Sequence, residues 1–342
     1  MLTLLRAAII IAQILVVCFI TISSASIVLG AEDSISCSSI KDSHQRLLCY
    51  DNRNNTPEVA DLDGTLPDAS SAENPVSILQ DRIKKEEVIN YNKFAITPHK
   101  PNYILPLTYN NSPNTQAYDS ETLDDKFAGN IDNHEVKFQL SFKIPLVRKF
   151  LHSDSSLWFA YSQVAFWQMY NLDASSPFRE TNYEPELIWV NKTDFQFFGF
   201  KNSLITLSLN HQSNGQAKPL SRSWNRLVAN FILEKNNTIL SFKPWYRFPE
   251  SSKNDGNPDI EKYLGYAEFA VLQKYKEHLS TIMLRNNMHS DNKTTAELTY
   301  TFKFTDRFKG IAQYFNGYGE SLIDYNHRVR RLGIGILITD WL

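Results

Sequence analysis

From about residue 89 to the C-terminus the chain alternates apolar and polar positions. In "VKFQLSFKI", Val136, Phe138, Leu140, Phe142 and Ile144 share one side, and Lys137, Gln139, Ser141 and Lys143 share the other. In "AELTYTFKF", Ala296, Leu298, Tyr300, Phe302 and Phe304 oppose Glu297, Thr299, Thr301 and Lys303. A period of two with one apolar and one polar face predicts half-buried strands. Such segments recur as far as "RRLGIGILITDWL", and no helical period of comparable length interrupts them. Ahead of them, "VSILQDRIKKEEVI" predicts a short amphipathic helix carrying Ile78, Leu79, Arg82 and Ile83, the alternative being a solvated charged run. Residues 50–75, rich in Asn, Asp, Ser and Pro, have the composition of a linker.

Alternation suits a soluble sandwich and a membrane barrel equally. The N-terminus changes the balance. "MLTLLRAAIIIAQILVVCFITISSASIVLGA" has an early Arg, a long apolar run and then small residues, and so reads as a secretory signal cleaved after Ala25 or Ala31. An uncleaved anchor helix is the alternative. No later run is apolar enough to be a spanning helix, so further membrane contact falls to strands or surface. Strands of about 9–11 residues suit a tilted crossing of a bilayer. Trp158, Phe159, Tyr161, Phe166, Trp167 and Tyr170 suit an interfacial girdle. A closed barrel also removes the edges that a large open sheet exposes.

Composition narrows the function classes. The net charge of the 342 residues is −2, which gives no footing for nucleic acid. Aromatics make up 13%, too many for a disordered chain. A mean hydropathy of −0.34 excludes a polytopic helical membrane protein but not a barrel. Cys37 and Cys49 follow the leader in "CSSIKDSHQRLLCYD", and two cysteines in an exported chain suggest one disulfide. A straight helix would hold them about 18 Å apart, so the segment must fold back if they pair.

The chemistry sits in "LSLNHQSNGQAKPLSRSWNR". Ile205, Leu207, Leu209, His211 and Ser213 share one face of a predicted strand, so His211 and Ser213 are neighbours among leucines. In "SWNRLVANFIL", Asn225 shares a face with Leu227, Ala229, Phe231 and Leu233. If the two strands pair across "NGQAKPLSR", Asn225 lies beside His211. Ser213 is then the nucleophile, His211 the base and Asn225 the acceptor that fixes the imidazole tautomer. An amide in the third place orients the ring without a carboxylate facing hydrocarbon. The apolar neighbours imply a substrate drawn from the membrane. A chance His-x-Ser on an otherwise structural strand is the bland alternative.

These residues resemble the bacterial outer-membrane phospholipase A family. The similarity runs through "NHQSNGQAKPLSRSWNRL", "SSPFRETNYEPEL", "KPWYRF", "NPDIEKYLGY" and "GYGESLIDYN", over roughly residues 89–342. It implies an all-β, 12-stranded antiparallel transmembrane barrel in the outer membrane. It also implies calcium-dependent hydrolysis of phospholipid acyl esters (phospholipase A1, A2 and lysophospholipase activity), switched on in a homodimer. His211, Ser213 and Asn225 match the family triad, and Gly215 matches its oxyanion donor. Ser221 and the Gln216 carbonyl match calcium ligands, Ser175 the ligand from the partner subunit, and Gln163 the polar residue of the dimer interface. The implied organisation is a signal at 1–31, an extension at 32–88 and the barrel at 89–342.

There are departures. Lys218 falls where the family can have a carboxylate serving a second, monomer-state calcium site, although Asp255 is available nearby. The chain ends in Leu342 rather than an aromatic, which leaves Trp341 for that role. The competing class is a non-catalytic barrel, porin-like or scaffold. It calls for a long constriction loop and a charged lumen, and neither is evident in the sequence. A soluble esterase would need a G-x-S-x-G elbow, and no serine here has one.

Overall fold

The computed structural model describes residues 77–89, 95–118, 121, 126–127, 129–152, 154–253, 255–305 and 307–340. The leader with its two candidate cleavage points, Cys37 and Cys49, and Trp341 lie outside the described residues. Strands β1 (Asn102–Asn110), β2 (His134–Arg148), β3 (Ser155–Trp167), β4 (Phe178–Phe197), β5 (Phe200–Ser213) and β6 (Ser223–Lys235) form the first half. β7 (Thr238–Arg247), β8 (Ala267–Tyr275), β9 (His278–Asn286), β10 (Thr294–Lys303), β11 (Lys309–Tyr318) and β12 (Arg328–Thr339) form the second. Each pairs antiparallel with its chain neighbour, and β1 pairs with β12 to close a 12-stranded barrel. Helix α1 (Ile78–Ile89) precedes the barrel, and the short helix α2 (Glu261–Leu264) lies between β7 and β8. The strands run from 9 to 20 residues, so several exceed the length that a bilayer crossing requires.

Parity sorts the side chains. On β2, Leu140 points out while Lys137 and Ser141 are buried; on β12, Leu332, Ile334 and Ile338 are exposed while Val329, Arg331 and Leu337 are buried. The exposed set continues around the wall through Leu107, Leu187, Leu209, Phe242, Leu284 and Leu298. An apolar outer belt of this extent needs an apolar surrounding. Closure is tight where β1 meets β12: a Cβ at Gly335 would stand 2.0 Å from the Ile104 carbonyl oxygen, so only glycine fits.

The lumen corrects two expectations. It is densely charged. Arg179 and Arg331 both bind Glu135, at 3.0 and 2.6 Å; Arg331 and Lys137 both bind Glu320, at 2.9 and 3.1 Å; and Arg179 reaches Asp324 at 3.0 Å. All of these side chains are at most 4% exposed, so the network fills the lumen instead of lining a water channel. The charges are hidden in the sequence because Glu135, Lys137, Arg179 and Arg331 occupy the polar phase of ordinary alternating strands, while Glu320 and Asp324 come from the β11–β12 connection.

The second correction concerns the aromatics. Trp158 and Phe166 do not belong to a girdle. Both fall on the inward parity of β3 and are buried, and Phe166 lies under Lys137, Arg179 and Arg331 at 5.6, 5.1 and 5.2 Å. A ring face is attracted to cations held out of water.

The predicted helix forms. In α1, Leu79 and Ile83 pack on Leu204, Ile232, Ile239 and Leu272, which face inward near the short turns of β5–β8. Glu86 pairs with Lys143 at 2.8 Å, and Arg82 donates to the Pro98 carbonyl at 2.8 Å. The helix therefore packs into the lumen at the short-turn end, opposite the long loops.

Removing one partner of a buried ion pair leaves an uncompensated charge. Arg331→Met should destabilise the folded barrel by about 3–5 kcal/mol, read as a lower denaturant midpoint for the protein folded in lipid vesicles. A change within error would mean that water reaches the network.

Candidate active site

The site is built on the β5–β6 hairpin, whose connection is residues 214–222. The hairpin register sets His211 opposite Asn225 and Ser213 opposite Ser223. Inward parity on these strands belongs to Ser208, Asn210, Trp224 and Arg226, which bond within the lumen. His211, Ser213 and Asn225 therefore point outward, with Leu207, Leu209 and Leu227. His211 Nδ1 lies 2.8 Å from Asn225 Oδ1. An amide oxygen only accepts, so Nδ1 carries the proton and Nε2 is left as the base. Ser213 stands two residues along the same face. Among the described residues it makes no direct hydrogen bond to His211, a contact that commonly tightens only with substrate in place.

A shallow groove of about 390 Å³ opens beside the imidazole. Phe159, Pro185, Leu187, Leu209 and Phe248 wall it, with His211 and Asn225 at one side. It lies on the outer surface, where an acyl chain can enter sideways from a bilayer. Gln163 pairs with Tyr183, and Tyr183 with Ser213, so the three form one outward row across β3, β4 and β5. Gln163 thus faces outward and not into the lumen. Its Oε1 accepts from the Tyr161 hydroxyl at 3.1 Å, which leaves its amide N–H groups for a bond elsewhere.

The 214–222 loop is organised by Asn214, which is buried. Its Oδ1 accepts from the backbone N–H groups of Gln216 and Arg222 at 3.3 and 2.9 Å, while Nδ2 donates to the Leu220 carbonyl at 2.9 Å and to Glu180 at 3.3 Å. Next to it, Gly215 has φ +65°, a left-handed conformation suited to glycine, and a Cβ there would stand 3.0 Å from the Tyr183 ring. The Ser221 carbonyl accepts from Arg222 at 2.8 Å, which leaves the Ser221 hydroxyl as the available oxygen. Ser175 lies in the β3–β4 connection, at the same end of the barrel as this loop but outside its hydrogen bonds, with φ +57° and its N–H on Leu172.

Asp255 is not available as a ligand. Its two oxygens take the Arg247 guanidinium at 2.8 and 2.9 Å, and one of them also accepts the Asn257 N–H. Lys218 is turned aside too, with its ammonium on the Lys253 carbonyl at 2.5 Å. The segment after β7 adds two contacts that no sequence pattern marks. Phe248 N–H donates to the Asn225 carbonyl at 2.8 Å, and Asn225 Nδ2 donates to Glu250 at 3.2 Å. Asn214 had a signal, since Asn before Gly marks a turn. Glu250 had none.

The model of the family described as Phospholipase A1 matches residues 79–338. The chain belongs to the phospholipase A1 family. It is 39% identical to the phospholipase A1 of Klebsiella pneumoniae, over 73% of this chain and 84% of that one, and 38% identical to that of Escherichia coli K12, over 73% and 83%. Among solved structures it is similar to outer membrane phospholipase A from Escherichia coli, with 37% identity and a TM-score of 0.67 over 73% of this chain and 94% of that one. The calcium-bound dimer of the Salmonella typhi phospholipase matches with 36% identity and a TM-score of 0.67 over the same shares. With the closed barrel and its apolar belt, this makes the chain a multi-pass protein of the outer membrane.

The residues present fit calcium in kind. The Gln216 carbonyl and Ser221 hydroxyl are hard, neutral oxygens, and neither accepts a hydrogen bond among the described residues. They include no carboxylate, so this loop alone offers calcium little charge. No cluster of three or more His, Cys, Asp or Glu residues suited to a metal occurs among the described residues. Because Asp255 is held by Arg247, Lys218→Asp on its own should not create a calcium site in the detergent-solubilised monomer. Isothermal titration should give the same weak response as the unmodified chain; tight binding would mean that Asp255 can leave Arg247.

Proposed function

We propose that the chain is a calcium-dependent phospholipase A that cleaves acyl esters of membrane glycerophospholipids (A1, A2 and lysophospholipase reactions) with a Ser213–His211–Asn225 triad and is active as a homodimer. The observation that carries this reading is the 2.8 Å contact of His211 Nδ1 with Asn225 Oδ1 on a lipid-facing surface beside Ser213. A structural histidine has little reason to be exposed among leucines with its ring oriented in this way.

In this reading His211 Nε2 takes the proton of Ser213 as its oxygen attacks the ester carbonyl. Asn225 holds the ring throughout and stabilises the imidazolium that forms. The Gly215 N–H donates to the carbonyl oxygen as it becomes an oxyanion. His211 then returns the proton to the leaving alcohol. A water, deprotonated by the same nitrogen, releases the fatty acid from Ser213. The Gln216 carbonyl, the Ser221 hydroxyl and the partner subunit's Ser175 would hold calcium, which supplies Lewis-acid polarisation of the ester carbonyl when bound.

A dimer joined through the β3–β4 wall would bring Gln163 against a second copy and cover the groove beside His211. That gives dimerisation two effects, completing the ion site and enclosing the acyl chain. The competing porin-like reading is disfavoured by the filled lumen.

Two measurements test the reading. Ser213→Ala and His211→Ala should each lower phospholipid hydrolysis by at least a thousandfold, the double variant should be little worse than either, and Asn225→Ala should be milder. Barrel folding should be unchanged, and wild-type turnover by Ser213→Ala would overturn the mechanism. Gln163→Ala should weaken the calcium-induced dimer, since such a bond in a membrane is worth about 0.6–2 kcal/mol. Undiminished cross-linking would remove Gln163 from the interface.

A further inference from the structure

The chain leaving β7 returns to the triad. Phe248 N–H bonds the Asn225 carbonyl at 2.8 Å, which fixes the segment in register beside Asn225. Two residues on, the half-buried Glu250 accepts from Asn225 Nδ2 at 3.2 Å. The far side of this loop is also anchored. Asn257 Oδ1 accepts from Ser223 N–H at 3.0 Å, and Gly256 lies so close to the Ser221 carbonyl that a Cβ would come within 2.3 Å.

An amide is an ambiguous orienter. Its oxygen accepts, its nitrogen donates, and the two ends have nearly the same shape. With Oδ1 toward His211, Nδ1 keeps the proton and Nε2 is the base. With the amide reversed, Nδ2 would donate to Nδ1, and Nε2 would carry the proton and could take none from Ser213. An aspartate in this place would have no such alternative. An ionised carboxylate is acceptor-only, so Glu250 can bond only the Nδ2 end of Asn225.

We propose that Glu250 is a positioning residue of the triad: it holds the Asn225 amide with its oxygen toward His211 and sets a negative charge one amide away from the imidazolium. The charge then stands in the loop beyond the strands, where solvation is cheaper than on the lipid face. The proposal rests on the Ser213–His211–Asn225 reading above.

Glu250→Ala and the isosteric Glu250→Gln should be measured for kcat and KM on a monoacyl phospholipid, in the intact chain folded in detergent with saturating calcium. Glu250→Ala should lower kcat about tenfold with KM unchanged, and Glu250→Gln should fall between it and the wild type. In an Asn225→Ala background the Glu250 substitutions should have no further effect. In an Asn225→Asp background Glu250→Gln should raise kcat, because a glutamine donates to the new carboxylate where Glu250 repels it. A loop that merely needed Glu250 for its fold would lower activity in every background. Wild-type kcat in Glu250→Gln and Glu250→Ala, or an undiminished loss in the Asn225→Ala background, would overturn the proposal. Ser213→Ala run alongside separates the two readings. If it is inactive while the Glu250 variants match the wild type, the triad stands and only the role of Glu250 falls; if it is active, the triad reading itself fails.

Discussion

Every backbone N–H and C=O that crosses hydrocarbon must be bonded within the protein, and for strands this means closure into a barrel. The pairing of β1 with β12 meets that demand. Once the wall is closed, each strand position has one of two fates, lumen or lipid, and a one-residue shift exchanges them. The rest of the molecule follows from this binary choice. Arg331 is inside with Glu135 and Glu320, while its neighbour Leu332 is in the outer belt. Asn210 is inside with Arg226, while its neighbour His211 meets the groove.

The inside and outside therefore carry opposite chemistry at adjacent positions. The lumen holds charges that pair with each other and stack on Phe166, so it behaves as a polar core. It also anchors the site from behind. Glu180 bonds Asn214, which ties the connection carrying Gly215, Gln216 and Ser221 to the lumen network. The row Gln163, Tyr183, Ser213 and the pair His211–Asn225 interrupt the apolar belt. A neutral amide beside the imidazole suits that setting, because an unpaired carboxylate facing hydrocarbon is costly. The neighbouring carboxylate that the structure does supply, Glu250, comes from the loop after β7 and not from the lipid-facing strand.

Calcium illustrates the same separation. The similar Salmonella typhi structure is a calcium-bound dimer. The candidate ligands in this chain are neutral oxygens; of the carboxylates around them, Asp255 is held by Arg247, Glu180 accepts from Asn214 and Glu250 accepts from Asn225. A single copy is thus poorly furnished for the ion. That agrees with a site completed by a second subunit.

Much was legible from the chain alone. Period-two alternation defined the strands, and its phase put His211, Ser213 and Asn225 on the apolar side before any pairing was known. The Asn214–Gly215 pair marked the turn between them, and the string around it carried the family. These features are local, and strand geometry translates them directly into direction. Other properties depended on which strands meet. Parity gave Lys137, Arg179 and Arg331 a polar side but could not say that they converge on Glu135, Glu320 and Phe166, because those partners come from β2, β3 and the β11–β12 loop. Trp158 and Phe166 read as interfacial aromatics until the phase of β3 turned them inward. Asp255 read as available until Arg247 was beside it. Glu250 sits in "PESS", with neither period nor motif, and only the Phe248–Asn225 backbone bond brings it to the triad. The sequence by itself determined the wall, its two faces and the residues of the proposed triad, since each depends only on spacing along a strand. The tertiary structure alone decided which charges cancel and which group holds the triad's amide, since both depend on contacts between segments far apart in the chain.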